Sequence, residues 1–325
     1  MNAKRFKVIF SKRRGALIAV GENASSVTKA PGTSGAPGLV KPCAVNVALQ
    51  GVAFAISAIF LAVHTAFAAP TGGEFAAGAG AISQAGNLTT IQQNTQHAIV
   101  NWQSFNSNAG EIIKFVQPNV NAAILNRVVG DMPSNLNGVL EGNGRVYLIN
   151  QNGIMLGKDG VINVNGGFVG STRDVTNKAF MDGGALVFKG ESIGDIQILG
   201  KVKSDQGDIV LIAQKVDVKE GAALIAGEKI RLVAANEVQL TDGKITVKPS
   251  SGDKGQITVE GALQAAQVQL LANNNNLGAL AINTTGTIRA TGTVQNPDGS
   301  VTIMAEGEGG NIKVAGVIPP KNSHI

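Results

Sequence analysis

Short hydrophobic stretches separated by turn-forming residues make up the second half of the chain. Each stretch is as long as one β-strand and cannot bury an apolar face alone, whereas stacked coils of about twenty residues share a continuous core. The pattern therefore predicts an all-β fold, a right-handed parallel β-helix. Its apolar-x-apolar-apolar-Ala motif recurs as IVLIA from residue 209, IRLVA from residue 230, VQLLA from residue 268 and VTIMA from residue 301.

The spacing of these motifs is uneven. The first two begin 21 residues apart, but the next intervals are 38 and 33 residues, so insertions or shifts of register must intervene. A β-sandwich is the structural alternative, because it also has many short strands between turns. Alternate side chains of a strand point to opposite faces. We therefore expect an inward set of Ile209, Leu211, Ile230 and Leu232, and a water-facing set of Lys215, Lys219, Glu228 and Arg231.

A different pattern lies near the amino terminus. Residues 51–63 (GVAFAISAIFLAV) form an unbroken apolar run, which has the length of a signal-peptide core and is short for a membrane span. Extending the run back to residue 44 would lengthen it to a membrane span, but Asn46 and Gln50 interrupt it. Ala66 and Ala68 supply the small-x-small pattern that signal peptidase accepts, which predicts cleavage between Ala68 and Ala69.

Charge supports the division at residue 68. The chain has 27 Lys and Arg against 22 Asp and Glu and a pI of about 9.3. Eight of the basic residues and one acid precede residue 69, so the remainder holds 27 − 8 = 19 basic and 22 − 1 = 21 acidic residues. The excess of positive charge therefore belongs to a segment that is removed, and we predict no nucleic-acid partner. Cys43, the single cysteine, also lies in this leader.

Residue types that carry catalysis are scattered. The nearest approach to a carboxylate cluster is Asp205, Asp208, Asp217 and Glu220, whose spacing is typical of solvated turns. After residue 68 the only histidines are His97 and His324, without a metal-ligand or triad pattern around them. We therefore predict no catalytic residue, no metal and no cofactor. A β-helical protein that binds or cleaves polysaccharide remains an alternative.

Between the leader and the motifs, the pattern predicts strands at Ile112–Val116 and Arg145–Ile149, with tight turns at EGNGR and NQNG. The segments NWQSF (101–105), KFVQPN (114–119), ILNRVVG (124–130) and VYLINQNGIMLGKDGVI (146–162) resemble the haemagglutination-activity, or two-partner-secretion (TPS), domain of filamentous haemagglutinin-like exoproteins. The opening MNAKRFKVIFSKRRGALIAVGENASS resembles the extended signal peptide of large exported proteins of Gram-negative bacteria.

The resemblance implies a secreted or cell-surface adhesin, exported through an outer-membrane β-barrel transporter whose periplasmic POTRA repeats recognise the amino-terminal domain. Three regions follow from it: a cleaved leader (1–68), a capping TPS domain (69–190), and β-helix coils (191–325) that either end here or continue in a longer product. The alternatives are a cytolysin and the stalk of a contact-dependent inhibition toxin. The surface ligand and the oligomeric state stay open.

The recognition residues carried over from the resemblance are Asn101, Trp102, Phe105, Gln117, Pro118, Asn119, Asn126, Arg127, Asn150, Asn152 and Gly153. For the aromatic residues alone, packing in a core or cap is the competing interpretation. The family has Asn-Pro-Asn-Gly where this chain has Asn150-Gln151-Asn152-Gly153. Because proline presets the backbone angle at the second turn position, we expect Gln151 to cost about 0.4–1 kcal/mol of stability without abolishing secretion.

Overall fold

The computed structural model describes residues 6–11, 16–21, 68–241, 244–250, 252–276, 280–292, 300–306, 311–315 and 317–318. The described residues belong to two units, which divide after residue 62. In the first unit, strands β1 (Phe6–Ser11) and β2 (Ala16–Gly21) form an antiparallel pair. The apolar run at 51–63 and Ala66 of the predicted cleavage site lie outside the described residues. No helix within the described ranges is long and apolar enough to cross a membrane.

The second unit is a stack of short strands. Its first part contains β3 (Glu74–Ala77), β4 (Gly80–Ala85), β5 (Leu88–Gln93), β6 (His97–Trp102), β7 (Ile112–Val116), β8 (Ala123–Val128), β9 (Ser134–Leu136), β10 (Val139–Gly142), β11 (Arg145–Ile149), β12 (Ile154–Leu156), β13 (Val161–Val164), β14 (Gly167–Ser171), helix α1 (Asn177–Asp182) and β15 (Leu186–Lys189). The strands predicted at Ile112–Val116 and Arg145–Ile149 are confirmed with the same bounds.

The second part continues the stack. It contains β16 (Asp195–Ile198), β17 (Lys201–Ser204), β18 (Ile209–Ala213), β19 (Lys215–Val218), β20 (Ala223–Ala226), β21 (Lys229–Ala234), β22 (Glu237–Thr241), β23 (Lys244–Lys248), β24 (Gln256–Val259), β25 (Ala262–Ala265), β26 (Gln267–Asn273), β27 (Leu280–Thr284), β28 (Thr287–Ala290), β29 (Ser300–Glu306), β30 (Asn311–Val314) and β31 (Val317–Ile318).

Three long sheets run the length of the stack. In the part of the chain that the structure describes, they contain ten strands (β4 to β31), nine strands (β3 to β29) and seven strands (β9 to β30). Successive coils pair in parallel, whereas β3 pairs with β6 and β4 pairs with β5 in antiparallel orientation at the amino-terminal end. The arrangement confirms the predicted parallel β-helix, and the sandwich alternative is wrong.

The four motifs lie above one another in the nine-stranded sheet. Ile209 pairs with Ile230, Ile230 with Val268, and Val268 with Val301, so the register does not shift. The interval of 38 residues instead contains the antiparallel hairpin β22–β23, which leaves the stack between β21 and β24. The four residues predicted to point inward are fully buried in the principal core: Ile209, Leu211, Ile230 and Leu232.

A second hydrophobic core lies outside the coils. Helix α1 and the antiparallel sheet β15–β22–β23, together named the cover, pack against the outer face of the nine-stranded sheet. Phe180 of α1 contacts Tyr147 of β11 edge to face, with ring centroids 5.1 Å apart. Phe188 and Val238 join them in this core. Strands β18 and β21 of the nine-stranded sheet are therefore buried on both faces, which is why the motif at 209–213 is continuously apolar.

The prediction that Arg231 faces water is wrong. Its side chain is on the outer face of β21 but only 1% exposed. Its charge is compensated there, because its Nη1 pairs with Asp208 Oδ2 at 2.6 Å and its Nε donates to Gln269 Oε1 at 3.1 Å. Lys215 and Lys219, with side chains 38% and 37% exposed, reach water while pairing with Asp217. A period-two pattern gives the face of a strand but does not indicate what covers that face.

Candidate functional site

The residues expected from the family resemblance divide by burial into two groups. The buried group comprises Trp102, Phe105, Gln117, Asn126, Asn150 and Gly153. The exposed or half-buried group comprises Asn101, Pro118, Asn119, Arg127 and Asn152. Only the second group has side chains available to a partner once the domain is folded, so the two groups have different physical roles.

Trp102, Phe105 and Asn126 form one buried unit inside the first coils. Trp102, the last residue of β6, is 1% exposed and meets Phe105 edge to face with centroids 5.4 Å apart. Its indole Nε1 donates to Asn126 Oδ1 at 3.0 Å, and Asn126 Nδ2 donates to the carbonyl of Tyr147 at 3.1 Å. Asn126 thus satisfies both the buried indole N–H of Trp102 and the buried carbonyl of Tyr147, so neither group loses a hydrogen bond on burial.

Gln117 is the centre of a second buried network, at the end of β7. Its Nε2 donates to Gln93 Oε1 and to the carbonyl of Ala122, both at 3.0 Å, and its Oε1 accepts from the amide of Gly144 at 2.9 Å. Asn143 brackets the Gln117 backbone, accepting from its N–H at 2.7 Å and donating to its carbonyl at 2.8 Å. The sequence reasoning missed Gln93 and Asn143, because neither has a local pattern that distinguishes it from the many other Gln and Asn residues of the chain.

Pro118 and Asn119 follow this network on the surface. Both are exposed. Asn119 Oδ1 accepts from the amide of Asn121 at 2.9 Å, and its Nδ2 donates to Gln96 Oε1 at 3.0 Å. These bonds fix the turn between β7 and β8, so an exposed segment keeps a single conformation.

The Asn150–Gly153 turn connects β11 to β12. Asn150 is fully buried: its Nδ2 donates to the carbonyl of Met132 and to Ser134 Oγ, both at 3.0 Å, while its Oδ1 accepts from the amide of Asn152 at 2.9 Å. Asn152 is exposed, and its Nδ2 donates to the carbonyl of Gly130 at 2.9 Å. Gly153 has φ +121°, a backbone angle that favours glycine.

Gln151 occupies the proline position of the family turn without breaking its hydrogen bonds. The amide of Gly153 donates to the carbonyl of Asn150 at 3.1 Å, which closes the turn. The carbonyl of Gln151 accepts from the hydroxyl of Ser192 in the next coil. The asparagine side chains and the neighbouring coil therefore hold the turn in place of proline.

Arg127 and Asn101 are neighbours in register on the outer face of the nine-stranded sheet. Arg127 Nε pairs with Asp174 Oδ1 at 2.9 Å, and its Nη2 donates to the carbonyl of Val175 at 2.7 Å. Its Nη1 donates to Asn177 Oδ1 at 2.6 Å, so Arg127 fastens the start of the cover to β8. Asn101 Oδ1 is buried without a hydrogen-bond partner among the described residues.

Arg173 is a buried cation that the sequence did not reveal. Its Nε donates to the carbonyl of Ala235 at 3.1 Å, its Nη1 to the carbonyl of Ser192 at 2.8 Å, and its Nη2 to Asn236 Oδ1 at 3.0 Å. Burial lowers the pKa of Arg173 to about 10, although Asp253 acts in the opposite direction. Arg173 therefore ties together three chain segments where the cover leaves the coils.

The two described residues of the predicted cleavage site lie at the start of the second unit. Ala68 and Ala69 are half-buried, and the amide of Ala68 donates to Glu111 Oε1 at 2.9 Å. Within the ranges that the structure describes, no three His, Cys, Asp or Glu side chains form a group that could hold a metal ion.

Two family models match the chain. The TPS secretion domain matches residues 66–318, and the extended signal peptide of the type V secretion system matches residues 1–50. Together they cover residues 1–50 of the leader and nearly all of the β-helix, and residues 51–65 lie between the two matches.

Curated relatives and solved structures agree with these matches. The chain is 28% identical over 251 residues to a heme/hemopexin-binding protein of Haemophilus influenzae strain Rd, covering 73% of this chain and 27% of that protein. A second H. influenzae protein of the same name is 40% identical over 86 residues, 26% of this chain and 9% of its own length. The chain thus spans about a quarter or less of these relatives. The crystal structure of the HMW1 secretion domain from H. influenzae has a TM-score of 0.68 and 27% identity, over 77% of this chain and 66% of that one.

Proposed function

This chain belongs to the family of TPS secretion domains, and from that premise we propose that its folded amino-terminal coils are the signal by which a partner outer-membrane transporter selects it. It carries an extended signal peptide and is exported across the inner and outer membranes to the cell surface or the medium. The family and the relatives described above are named for secretion or binding, not for catalysis.

The proposal keeps the three regions inferred from the sequence. Residues 1–68 are the cleaved leader, residues 69–190 carry recognition, and residues 191–325 are coils that follow them through the outer membrane. The observation that carries the proposal is the family match, which extends through both of the last two regions from residue 66 to residue 318.

The exposed and the buried recognition residues have different roles in this proposal. The exposed turns at Asn119 and Asn152 are available to the POTRA repeats of the transporter, and both are held by hydrogen bonds, so binding them costs little ordering entropy. The buried residues Trp102, Gln117 and Asn150 act earlier, because the exposed turns exist only after the first coils have folded. We propose that loss of a buried residue blocks secretion through folding, and loss of an exposed one through recognition.

Folding outside the cell supplies a direction for export. Each coil that emerges adds strands in register to the previous coil, as Ile209, Ile230 and Val268 do. Burial of apolar surface contributes about 25 cal/mol per Å², so every added coil opposes backward sliding. The antiparallel strands β3 and β4 close the first coil, which gives later coils a fixed end on which to stack.

The test is export of the full chain in cells with and without a cognate two-partner-secretion transporter. We expect the wild type in the medium only when the transporter is present. The double variant Asn150→Ala/Asn152→Ala should stay in the periplasm, whereas Asn163→Ala, an exposed asparagine on β13, should be exported like the wild type. Export of the wild type without any transporter would overturn the proposal.

We further propose that the exported protein is an adhesin, on the strength of its resemblance to filamentous haemagglutinin-like exoproteins. Binding of the purified secreted chain to host cells, compared with the same chain unfolded by heat, tests this. Equal binding of both samples would remove the support for a specific adhesive surface.

A second candidate is binding of haem or of a haem-carrying protein. The observation that favours it is the name shared by both curated relatives. Titration of the purified chain with haem, followed by the Soret absorbance, tests it. A spectrum identical to that of free haem at every ratio would exclude haem as the ligand of this chain.

A further inference from the structure

An open groove of about 580 Å³ lies beside the Asn150–Gly153 turn. Three surface loops form it, each preceding one strand of the seven-stranded sheet: residues 131–133 before β9, residues 151–153 before β12, and residues 193–194 before β16. Met155 and Asn135 form part of its floor, as register neighbours on β12 and β9. We name this surface the turn groove.

Hydrogen bonds between coils hold the three loops together. Asn150 and Asn152 join the second loop to the first through the carbonyls of Met132 and Gly130. Ser192 Oγ donates to the carbonyl of Gln151, and the same hydroxyl accepts from the amide of Gly194 at 2.9 Å, which joins the third loop. The turn groove is therefore preorganised, and a partner that binds it does not have to order its loops.

Gly194 shows how closely the loops approach. A Cβ at this position would lie 2.6 Å from the carbonyl oxygen of Gln151 and 2.7 Å from the amide nitrogen of Gly153. Both contacts are with backbone, so neither neighbour can swing away. A residue other than glycine would force the third loop off the turn and change the shape of the groove.

The turn groove is bordered by exposed apolar side chains. Ile193 on the third loop is 84% exposed, and Met155 on the floor is 36% exposed. Exposed apolar side chains that line a groove are characteristic of an interaction surface.

The charges on the turn groove have one sign. Asp131 and Asp195 line it, and none of its described lining residues is Lys or Arg. The neighbouring Lys215 pairs with Asp217 at 3.0 Å and also attracts Asp195, its register neighbour on β16. Asp131 forms no ion pair among the described residues, so it is the acid of the groove that a basic partner would meet. A partner segment that fits this surface carries apolar side chains flanked by Lys or Arg. A second copy of this chain fits poorly, because a two-fold contact would place the same acidic groups against one another.

We propose that the turn groove is the docking surface for an apolar and basic segment of the partner transporter. The inference rests on the proposed function, since it gives the chemistry of the partner at the recognition turn. The groove adjoins Asn152 and Gly153, so the apolar border and the turn form one continuous surface. In this arrangement Ile193 and Met155 supply contact area, and Asp131 selects the charge of the partner.

Variants of exposed residues test the proposal without disturbing the core. The test uses the full chain, co-expressed with its cognate transporter, with Ile193→Lys as one variant and Asp131→Lys as another. Ile225→Lys is the matched control, because Ile225 is an isoleucine 42% exposed on β20 of the ten-stranded sheet, away from the groove. Binding of the purified mature chains to the periplasmic part of the transporter is measured in parallel.

We expect each groove variant to bind the periplasmic part at least about tenfold more weakly and to reach the medium correspondingly less. Ile225→Lys should match the wild type, and all variants should keep the thermal midpoint of the wild type. Wild-type export that needs the transporter, together with normal export of the groove variants, would overturn this inference and leave the proposed function intact. Transporter-independent export of the wild type would overturn the proposed function itself. If the groove variants bind the transporter normally but no longer self-associate, the groove is a contact between copies of this chain. That result would also overturn the inference.

Discussion

Asn150→Ala is the substitution whose effect the structure predicts most directly. Asn150 is fully buried and joins the turn to the loop before β9. Its Nδ2 satisfies the carbonyl of Met132 and Ser134 Oγ, and its Oδ1 accepts from both the backbone amide of Asn152 at 2.9 Å and the Asn152 side-chain amide at 3.2 Å. Alanine removes all of these bonds and leaves a small cavity.

The loss of stability depends on which former partners of Asn150 can form a replacement hydrogen bond with water and which cannot. Ser134 is fully buried, so its hydroxyl is left without Asn150, and the carbonyl of Met132 loses its partner at the turn. Each buried group left unsatisfied costs about 1–3 kcal/mol. Asn152 is exposed, so its donors turn to water at little cost. We expect the free energy of unfolding to fall by about 2–4 kcal/mol, which lowers the thermal midpoint of a domain of this size by about 4–16 °C.

The measurement is thermal and urea unfolding of the purified mature chain. Asn163→Ala provides the control, since that asparagine is exposed on β13 and should change the unfolding free energy by less than about 0.5 kcal/mol. Asn152→Ala should lie between the two, because it removes the bond to the carbonyl of Gly130 from an exposed side chain. A midpoint for Asn150→Ala equal to that of Asn163→Ala would refute the reasoning that buried amide bonds hold the turn.

Three further predictions follow from the turn and the cover. Gln151→Pro should raise the unfolding free energy by about 0.4–1 kcal/mol, because proline restricts the unfolded chain while the turn keeps its bonds; a lower thermal midpoint would show that the backbone here is incompatible with proline. Phe180→Ala should destabilise the cover by about 3–5 kcal/mol, so hydrogen exchange of β15 and β22 should quicken while that of β7 stays slow; uniform acceleration would contradict a separately packed cover. Hydrogen bonds from Lys248 and then Lys189 lower the pKa of Glu237. The folded pKa is below the unfolded one, so this stabilisation is present above the ordinary glutamate range and is lost as the pH falls through the folded pKa. The thermal midpoints of wild type and Glu237→Gln should therefore differ at neutral pH and converge below about pH 4, and a difference that persists in acid would contradict the assignment.

The strands and the way they stack follow from the amino-acid sequence alone. The motif beginning at Ile209 coincides with β18, and the motifs at Ile230, Val268 and Val301 lie above it in one sheet. This succeeded because a coil of a β-helix is specified locally: turn residues end each strand, and period-two alternation selects the inward side chains. The family motifs were equally local, since three of them occupy the end of one strand and its adjacent turn, and the longest, 146–162, runs through consecutive strands from β11 to β13.

What covers each outward side chain depends on tertiary contacts that the amino-acid sequence does not indicate. Val210 and Arg231 both point away from the coil interior, yet each is 1% exposed on the outer face of the nine-stranded sheet. The cover that packs on this face contains the paired strands β15 and β22, which lie far apart in sequence. No local sequence pattern therefore predicts it. For the same reason the sequence did not separate buried Asn150 from exposed Asn152, or bring Ile193 beside the turn. Burial depends on contacts between distant segments, whereas strand periodicity depends only on neighbours along the chain.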